Sequence, residues 1–201
     1  MKRVGLLGGS FNPAHKGHRG ISLAAMRALG LDEVWWLVSP GNPLKDAADM
    51  APLGVRLASA RAMSRHAPIR ATDIEARIGT RYTVDTLRRL VRLYPKTRFI
   101  WLMGGDNLAQ FHRWRDWREI ARTMPIAVIA RPGYGHAARA GPAMGWLRRW
   151  QLPPDQAKSW TMWRLPALVL LQFRPDPTSA TAARLADPAW SKRYGAVSPV
   201  Q

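Results

Sequence analysis

The stretch VGLLGGSFNPAHKGHRG, residues 4–20, decides the fold of this chain. Its apolar start and the paired glycines Gly8 and Gly9 are typical of a buried parallel strand that ends where the chain turns. A short loop follows, and a helical pattern begins near Lys16 and closes at Gly30. The stretch therefore predicts a strand, a loop and a helix, with two histidines, His15 and His18, where the helix begins.

The same alternation of apolar strands and amphipathic helices continues along the chain. The predicted strands are residues 3–9, 33–39, 69–76, 98–105, 125–131 and 167–173, and the predicted helices are residues 16–29, 53–65, 83–94, 117–124 and 179–186. Residues 133–158 are less regular and are expected to form a partly helical connection. This spacing predicts an α/β fold, a single doubly wound Rossmann-like domain over residues 1–201 with a mostly parallel sheet. Residues from about 177 to 201 would add a short C-terminal helical part.

Composition narrows the class of protein. With 201 residues and 47% hydrophobic side chains, the chain is long enough to bury one sizeable core. It has no cysteine, so it forms neither a disulfide framework nor a thiolate metal site. The N-terminal apolar run is too short for a signal peptide, and no stretch approaches the length of a membrane span. We therefore expect a cytoplasmic protein without a membrane partner.

The net charge of +18 leaves two explanations open. The excess is even, with 17 Lys and Arg against 8 Asp and Glu up to Gln110 and 14 against 5 after it, so there is no basic tail. A basic balance suits phosphate-bearing ligands and weak, nonspecific nucleic-acid binding. It is equally explained by a general preference for arginine in this composition.

The loop between the first strand and the first helix is the candidate ligand site. Ligands of open α/β sheets bind at the carboxyl ends of the strands, and the helix start presents free N–H groups and the positive end of its dipole. The loop matches neither the P-loop nor the dinucleotide-binding fingerprint. His15 and His18 could be metal ligands, a structural pair or phosphate contacts. No HExxH motif and no cysteine supply further zinc ligands, which favours phosphate contact.

Two motifs at opposite ends of the chain carry a family resemblance. GGSFNPAHKGH, residues 8–18, resembles the (T/H)xGH signature of the nucleotidylyltransferase superfamily in the form that its adenylyltransferases have. TSATAAR, residues 178–184, is similar to the SxTxxR motif of the same enzymes. Three further segments, residues 42–45, 81–87 and 104–120, resemble bacterial nicotinate-nucleotide adenylyltransferases. That resemblance implies the conversion of ATP and nicotinate mononucleotide to deamido-NAD and pyrophosphate.

The resemblance also implies residue roles. His15 and His18 would contact the ATP phosphates, with His18 closest to the α-phosphate. The other positions on the ATP side would be Gly9, Ser10, Phe11, Lys45, Gly105, Asp106, Ser179, Thr181 and Arg184. The acceptor side would include Thr83, Thr86 and Trp117, with the Trp117 ring stacked on the pyridine ring. Mg²⁺ is expected to accompany ATP with most of its ligands from the phosphates, so no protein ligand is assigned.

The chain departs from the family pattern at three positions, and rival functions stay open. Asn12 replaces a frequent aspartate, Leu44 a frequent histidine before the loop lysine, and Ala180 a common second serine. The rivals on the same scaffold are a phosphopantetheine adenylyltransferase or a cytidylyltransferase. A basic nucleic-acid-binding protein is a rival of a different class, although no specific nucleic-acid partner is expected. The sequence predicts neither the oligomeric state nor a preference for the acid over the amide.

Overall fold

A computed structural model describes residues 1–41, 50–130, 140–173 and 179–195. Seven strands, all paired in parallel, form one sheet in the order β3-β2-β1-β4-β5-β7-β6. The strands are β1 (Lys2–Gly9), β2 (Glu33–Val38), β3 (Ile69–Thr72), β4 (Thr97–Gly104), β5 (Ile126–Ala130), β6 (Gln151–Leu152) and β7 (Leu168–Gln172). The predicted α/β class with a doubly wound sheet is confirmed.

Helices connect the strands and cover both faces of the sheet. The α-helices of the described ranges are α1 (Lys16–Leu29), α2 (Leu53–Ser64), α3 (Ile74–Arg77), α4 (Thr83–Leu93), α5 (Gly105–Gln110), α6 (Trp117–Thr123), α7 (Pro142–Leu147), α8 (Ala180–Ala186) and α9 (Trp190–Gly195). Short 3₁₀ segments span Phe111–Arg113, Arg148–Trp150 and Pro154–Met162. None of the helices within these ranges is long and apolar enough to cross a membrane.

The strand order creates the crevice in which a ligand can bind. From β1 the chain builds outward through β2 and β3, and then it returns to the other side of β1 with β4 and β5. The connections that leave β1 and β4 therefore run to opposite faces of the sheet. This leaves a crevice between them at the carboxyl ends of these two neighbouring strands. Such a switch point is where open α/β sheets bind their ligands.

The alternation of side chains along each strand explains the two cores. Leu6 and Trp101 face one apolar layer, which α4 and α6 cover, whereas Leu7 and Trp36 face the other, which α1 and α2 cover. Both layers contain fully buried residues from the central strands, as expected for a parallel sheet that is covered on both sides.

The sequence prediction was wrong in two details. The strand expected over residues 69–76 ends at Thr72, because Asp73 accepts helical hydrogen bonds from Ala76 and Arg77 and the chain turns into α3. The two residues of β6 lie within the region that was expected to be a partly helical connection. A strand of two residues is too short to show a period, so the apolar pattern does not reveal it.

Candidate active site

A cavity of about 870 Å³ opens at the carboxyl ends of β1, β4 and β5. Most of its lining comes from the loop between β1 and α1, the segment from α3 to the start of α4, the segment from β4 through the residues after α5, and the start of α8. The first turns of α1 and the ends of β2, β5 and β7 add further residues. Segments far apart in sequence thus meet at the switch point of the sheet.

The two histidines of the first loop line this cavity side by side. His15 is the N-cap residue of α1, and the centroids of the His15 and His18 rings are 3.8 Å apart. The backbone N–H of His15 donates a hydrogen bond to Nδ1 of His18 at 3.3 Å. Because Nδ1 accepts, a neutral His18 carries its proton on Nε2, which makes Nε2–H its hydrogen-bond donor.

A buried stack of aromatic rings fixes the loop from below. Phe11 has a φ of +46°, a conformation that is rare for a bulky residue, and its buried ring stacks on Trp36 with centroids 5.1 Å apart. Trp36 Nε1 donates to Ser22 Oγ at 2.8 Å, and Ser22 Oγ donates to the carbonyl of His18 at 2.8 Å. The Phe11 ring is also 4.7 Å from the His18 ring, so His18 is held on two sides.

Two glycines allow side chains to approach the backbone at the floor. A Cβ at Gly8 would lie 2.6 Å from Cη2 of Trp101, and a Cβ at Gly104 would lie 2.5 Å from Oδ1 of Asp106. Both distances are too short for real atoms, so only glycine permits the Trp101 ring and the Asp106 carboxylate to occupy these places. Trp101 and Asp106 both line the cavity.

Arg56 joins the loop that follows β1 to the loop that follows β2. Its side chain is 1% exposed and donates to the carbonyls of Ala51 (2.7 Å), Ser10 (2.8 Å), Ser39 (2.8 Å) and Pro40 (3.4 Å). Burial lowers the pKa of its guanidinium. The sequence carries no signal for this buried arginine, because a lone arginine in a helix is typical of a solvent-exposed position.

The start of α8 closes the cavity on the same side. Ser179 caps the helix by accepting the Ala182 N–H at 3.1 Å, and both Ser179 and Thr181 line the cavity. Arg184 is not among the lining residues. Its Nη1 donates to the carbonyl of Asn12 at 2.7 Å, which fastens α8 to the first loop.

Aromatic and cationic side chains cluster at one end of the cavity. Tyr82 lies between two arginines, with the guanidinium carbon of Arg115 4.5 Å and that of Arg81 5.9 Å from its ring centroid. Thr83 and Trp114 line the same end. Flat rings and positive charges in one place suit an aromatic ligand that carries negative charge.

Thr86 and Trp117 are buried and are not brought to the cavity wall. Thr86 is 0% exposed, and its hydroxyl lies 3.1 Å from Oε1 of Glu75, which itself lines the cavity. Trp117 is 9% exposed and packs edge-on against Phe111 and Trp146 in the core. Its helix repeats apolar residues at Ile120, Ala121 and Met124, and that period turns Trp117 inward.

The structure thus brings most of the predicted residues to one cavity. The lining positions among them are Gly9, Ser10, Phe11, His15, His18, Thr83, Gly105, Asp106, Ser179 and Thr181. Lys45 and its loop lie outside the described residues.

Several lining residues were missed by the sequence analysis, namely Glu75, Arg81, Tyr82, Trp101, Trp114 and Arg115. The position of Trp114 could have been recognised from the sequence. Trp114 lies before the apolar repeat of α6 and is not part of it, so that repeat does not assign Trp114 to the core.

No group of three or more His, Cys, Asp or Glu side chains that could hold a metal ion occurs in the described parts of the chain. The polar lining is instead dominated by hydrogen-bond donors and cations, which suits phosphate oxygens.

Comparisons with known proteins show the family to which the chain belongs. The Cytidylyltransferase-like family profile matches residues 6–186. A protein of Erythrobacter litoralis, named as a nicotinate-nucleotide adenylyltransferase, is 63% identical over 192 residues, which cover 96% of this chain and 88% of that protein. A protein of Parvibaculum lavamentivorans with the same name is 53% identical over 182 residues and 90% of each chain.

A solved structure shows the same fold at low identity. The Plasmodium falciparum nicotinic acid mononucleotide adenylyltransferase complexed with NaAD superposes with a TM-score of 0.67 at 16% identity, over 92% of this chain and 83% of that one. The parallel sheet, the histidine-bearing loop and the family profile define a nucleotidyltransferase with a Rossmann-like fold. Within that class, the chain belongs to the nicotinate-nucleotide adenylyltransferase family.

Proposed function

We propose that this protein transfers the adenylyl group of ATP to nicotinate mononucleotide and releases deamido-NAD and pyrophosphate, a reaction of NAD biosynthesis. The observation that carries the proposal is a single cavity that His15 and His18 line together with the aromatic and cationic side chains of Tyr82, Trp114 and Arg115. The Plasmodium relative was solved with NaAD, the product of this reaction, and with the nucleotide analogue APC.

The chemistry requires positioning and charge neutralisation more than a base. A phosphate oxygen of the acceptor attacks the α-phosphorus of ATP, and the bond from that phosphorus to the bridging oxygen of the β-phosphate breaks. The attacking monoester is largely ionised at neutral pH, since its second pKa is near about 6. No protein group has to remove a proton, so catalysis depends on in-line alignment and on donors that face the transferring phosphoryl group.

His18 is the donor best prepared for this task. Its Nδ1 accepts the His15 N–H and its ring rests against Phe11, so we assign Nε2–H to the α-phosphate in the transition state. His15, Ser10 and the capped start of α8 around Ser179 and Thr181 surround the rest of the triphosphate. Fixed donors of this kind stabilise developing charge without having to reorganise.

Arg184 and Thr86 are assigned supporting roles. Arg184 holds α8 against the loop through the Asn12 carbonyl, so its effect on ATP is exerted through Ser179 and Thr181. Thr86 holds the Glu75 carboxyl. Asp106 lies over Gly104 at the end of β4 and lines the cavity, and it is assigned to accept hydrogen bonds from ribose hydroxyls.

The acceptor ring is assigned to the end of the cavity that Tyr82, Thr83, Trp114 and Arg115 form. In this assignment Trp114, and not the buried Trp117, presents the flat surface for the pyridine ring. Arg115 adds a positive charge 4.5 Å from the Tyr82 ring centroid, on the side where an acidic acceptor would place its carboxylate.

Mg²⁺ is proposed to enter with ATP and to be held mainly by the phosphate oxygens. Magnesium that accompanies a nucleotide takes most of its ligands from phosphate oxygens and water, so no carboxylate of the cavity is assigned to the ion. Bound in this way, the ion would supply positive charge that offsets the charge of the leaving pyrophosphate. We place the reaction in the cytoplasm, where ATP is available.

The direct test is pyrophosphate release from purified protein with ATP and Mg²⁺, with nicotinate mononucleotide and nicotinamide mononucleotide offered in parallel. Release that depends on the acid acceptor is expected. Pyrophosphate release with phosphopantetheine in place of either mononucleotide would contradict the assigned acceptor, and no release with any acceptor would contradict the reaction.

A further inference from the structure

Glu75 is a buried carboxylic acid at the wall of the cavity. It belongs to α3, directly after the edge strand β3, and it is 8% exposed while still lining the cavity beside Tyr82 and Thr83. Acidic side chains are seldom buried unless they are paired. In the described part of the chain, Glu75 forms no ion pair with a basic side chain.

A hydrogen-bond network fixes the orientation of this carboxyl group. The hydroxyl of Thr86 lies 3.1 Å from Oε1 of Glu75 and 2.9 Å from Oγ1 of Thr80. The backbone N–H of Thr80 donates to the carbonyl of Glu75 at 2.9 Å. Both threonines are buried, so the network anchors one oxygen of the carboxyl group and holds the side chain in one place.

The neighbouring charged side chains on α3 and α4 either have other partners or are exposed to solvent. On α3, Arg77 pairs with Asp73 at 3.0 Å and donates to Thr72. On α4, Arg89 donates to the carbonyl of Ile78 at 2.8 Å, and the side chain of Asp85 is exposed.

The charged groups that share the cavity wall with Glu75 are Arg81 and Arg115, which flank Tyr82, together with Arg113 and Asp106 from the segment after β4. Burial raises the pKa of Glu75 to about 7, and the hydrogen bond from Thr86 opposes that rise. The Glu75 carboxyl therefore changes its charge near neutral pH, next to the place assigned to a pyridine ring that bears a carboxylate.

We propose that Glu75 determines which acceptor is used by contacting the substituent on the pyridine ring of the acceptor. A protonated Glu75 favours a carboxylate as that substituent, and an ionised Glu75 disfavours it. This inference rests on the proposed function and assigns one more residue of the same site to it. A protonated Glu75 carboxyl can donate a hydrogen bond to a ligand in the cavity, whereas the ionised carboxylate can only accept hydrogen bonds.

The two charge states of Glu75 favour different acceptors. A protonated carboxyl donates to the carboxylate of nicotinate mononucleotide, whereas the ionised form repels that carboxylate. An amide in the same position donates N–H to ionised Glu75 and is not repelled by it. A charge-assisted hydrogen bond gained or lost in a buried site is expected to change the ratio of specificities by about tenfold or more.

The test is the ratio of kcat/KM for nicotinate mononucleotide to kcat/KM for nicotinamide mononucleotide, measured from about pH 5.5 to 9. Both acceptors carry the same 5′-phosphate and react with the same ATP, so the titrations of these groups cancel in the ratio. The acid-to-amide ratio is expected to fall as pH rises, with a midpoint near the pKa of about 7 for Glu75.

Two variants distinguish this role from a structural one. Glu75→Gln keeps the shape and a hydrogen-bond donor but does not titrate, so its ratio should not change with pH. Thr86→Val removes the hydrogen bond that lowers the pKa of Glu75, so the midpoint should move to higher pH. A folding defect would lower kcat/KM for both acceptors alike and would leave the acid-to-amide ratio unchanged. Thermal unfolding of each variant checks that it is folded.

Two results would overturn the inference. One is a wild-type ratio that stays flat with pH. The other is the same fall in Glu75→Gln as in the wild type. A failure of the proposed function looks different, because neither acceptor would then release pyrophosphate at any pH, and the inference would fall with it.

Discussion

His18 is the single residue on which the proposed transfer depends most. His18→Asn keeps an acceptor near the Nδ1 position but removes the Nε2–H donor, so we expect turnover to fall by about 10² or more. His66→Asn is the matched control, because His66 is exposed, lies away from the cavity and has a φ of +57° that asparagine tolerates. Steady-state pyrophosphate release measures both variants. Equal rates for His18→Asn and the control would contradict the assigned role.

The two tryptophans of one short segment should separate binding from stability. Trp114→Leu removes a ring from the acceptor end and is expected to raise the KM for nicotinate mononucleotide about tenfold, with a smaller effect on the KM for ATP. Trp117→Phe should leave both KM values unchanged and lower the free energy of unfolding by about 1–3 kcal/mol, because Trp117 packs in the core. If Trp117→Phe raised only the KM for nicotinate mononucleotide, Trp117 and not Trp114 would be the residue that contacts the pyridine ring.

Single residues also show where sequence reasoning reaches its limit. His15, His18, Asp106 and Ser179 lie at the ends of strands or starts of helices, so their motif positions predict the cavity they share. The sequence motifs do not distinguish residues that face a ligand from residues that hold those ligand-facing residues in position. Arg184 and Thr86 belong to motifs, yet neither lines the cavity. Arg184 donates a hydrogen bond to the carbonyl of Asn12, and Thr86 donates one to the carboxyl of Glu75. Motif spacing does not predict these contacts.

At the scale of elements, Arg56 connects α2 to the loops after β1 and β2. Arg56→Met leaves the carbonyls of Ala51, Ser10 and Ser39 without their donor, so we expect the free energy of unfolding to fall by about 2–4 kcal/mol. The control is Arg61→Met on the exposed side of the same helix, where a change within about 0.5 kcal/mol is expected. Urea unfolding of both variants gives the two values. Equal losses would mean that the carbonyl contacts contribute little.

Elements with strong local signals were predicted closely. The period of α1 and its closing glycine gave its bounds, since Gly30 has a φ of +62° that favours glycine at a helix end. The failures have a tertiary cause. Residues 73–76 read as the continuation of an apolar strand, but helical hydrogen bonds to Asp73 turn them into α3, and this turn is what brings Glu75 to the cavity.

At the scale of the whole molecule, the net charge of +18 is expected to attract both substrates. The cavity wall itself includes Arg81, Arg113 and Arg115, and ATP and nicotinate mononucleotide are polyanions. Raising the salt concentration from about 0.05 M to about 0.5 M should therefore raise both KM values several-fold, because screening shortens the reach of these charges. The value of kcat should change little. KM values that do not depend on salt would show that only short-range contacts bind the substrates.

The contact between Arg184 and the carbonyl of Asn12 spans 172 positions of sequence. The last sheet strand ends at Gln172, before α8 begins, so the whole sheet precedes the helix that closes the cavity. A nascent chain emerging from the ribosome therefore presents the strands described above before it presents Ser179, Thr181 and Arg184. Under the proposed function, binding of the triphosphate waits until α8 has been synthesised, even though the strands of the sheet already exist.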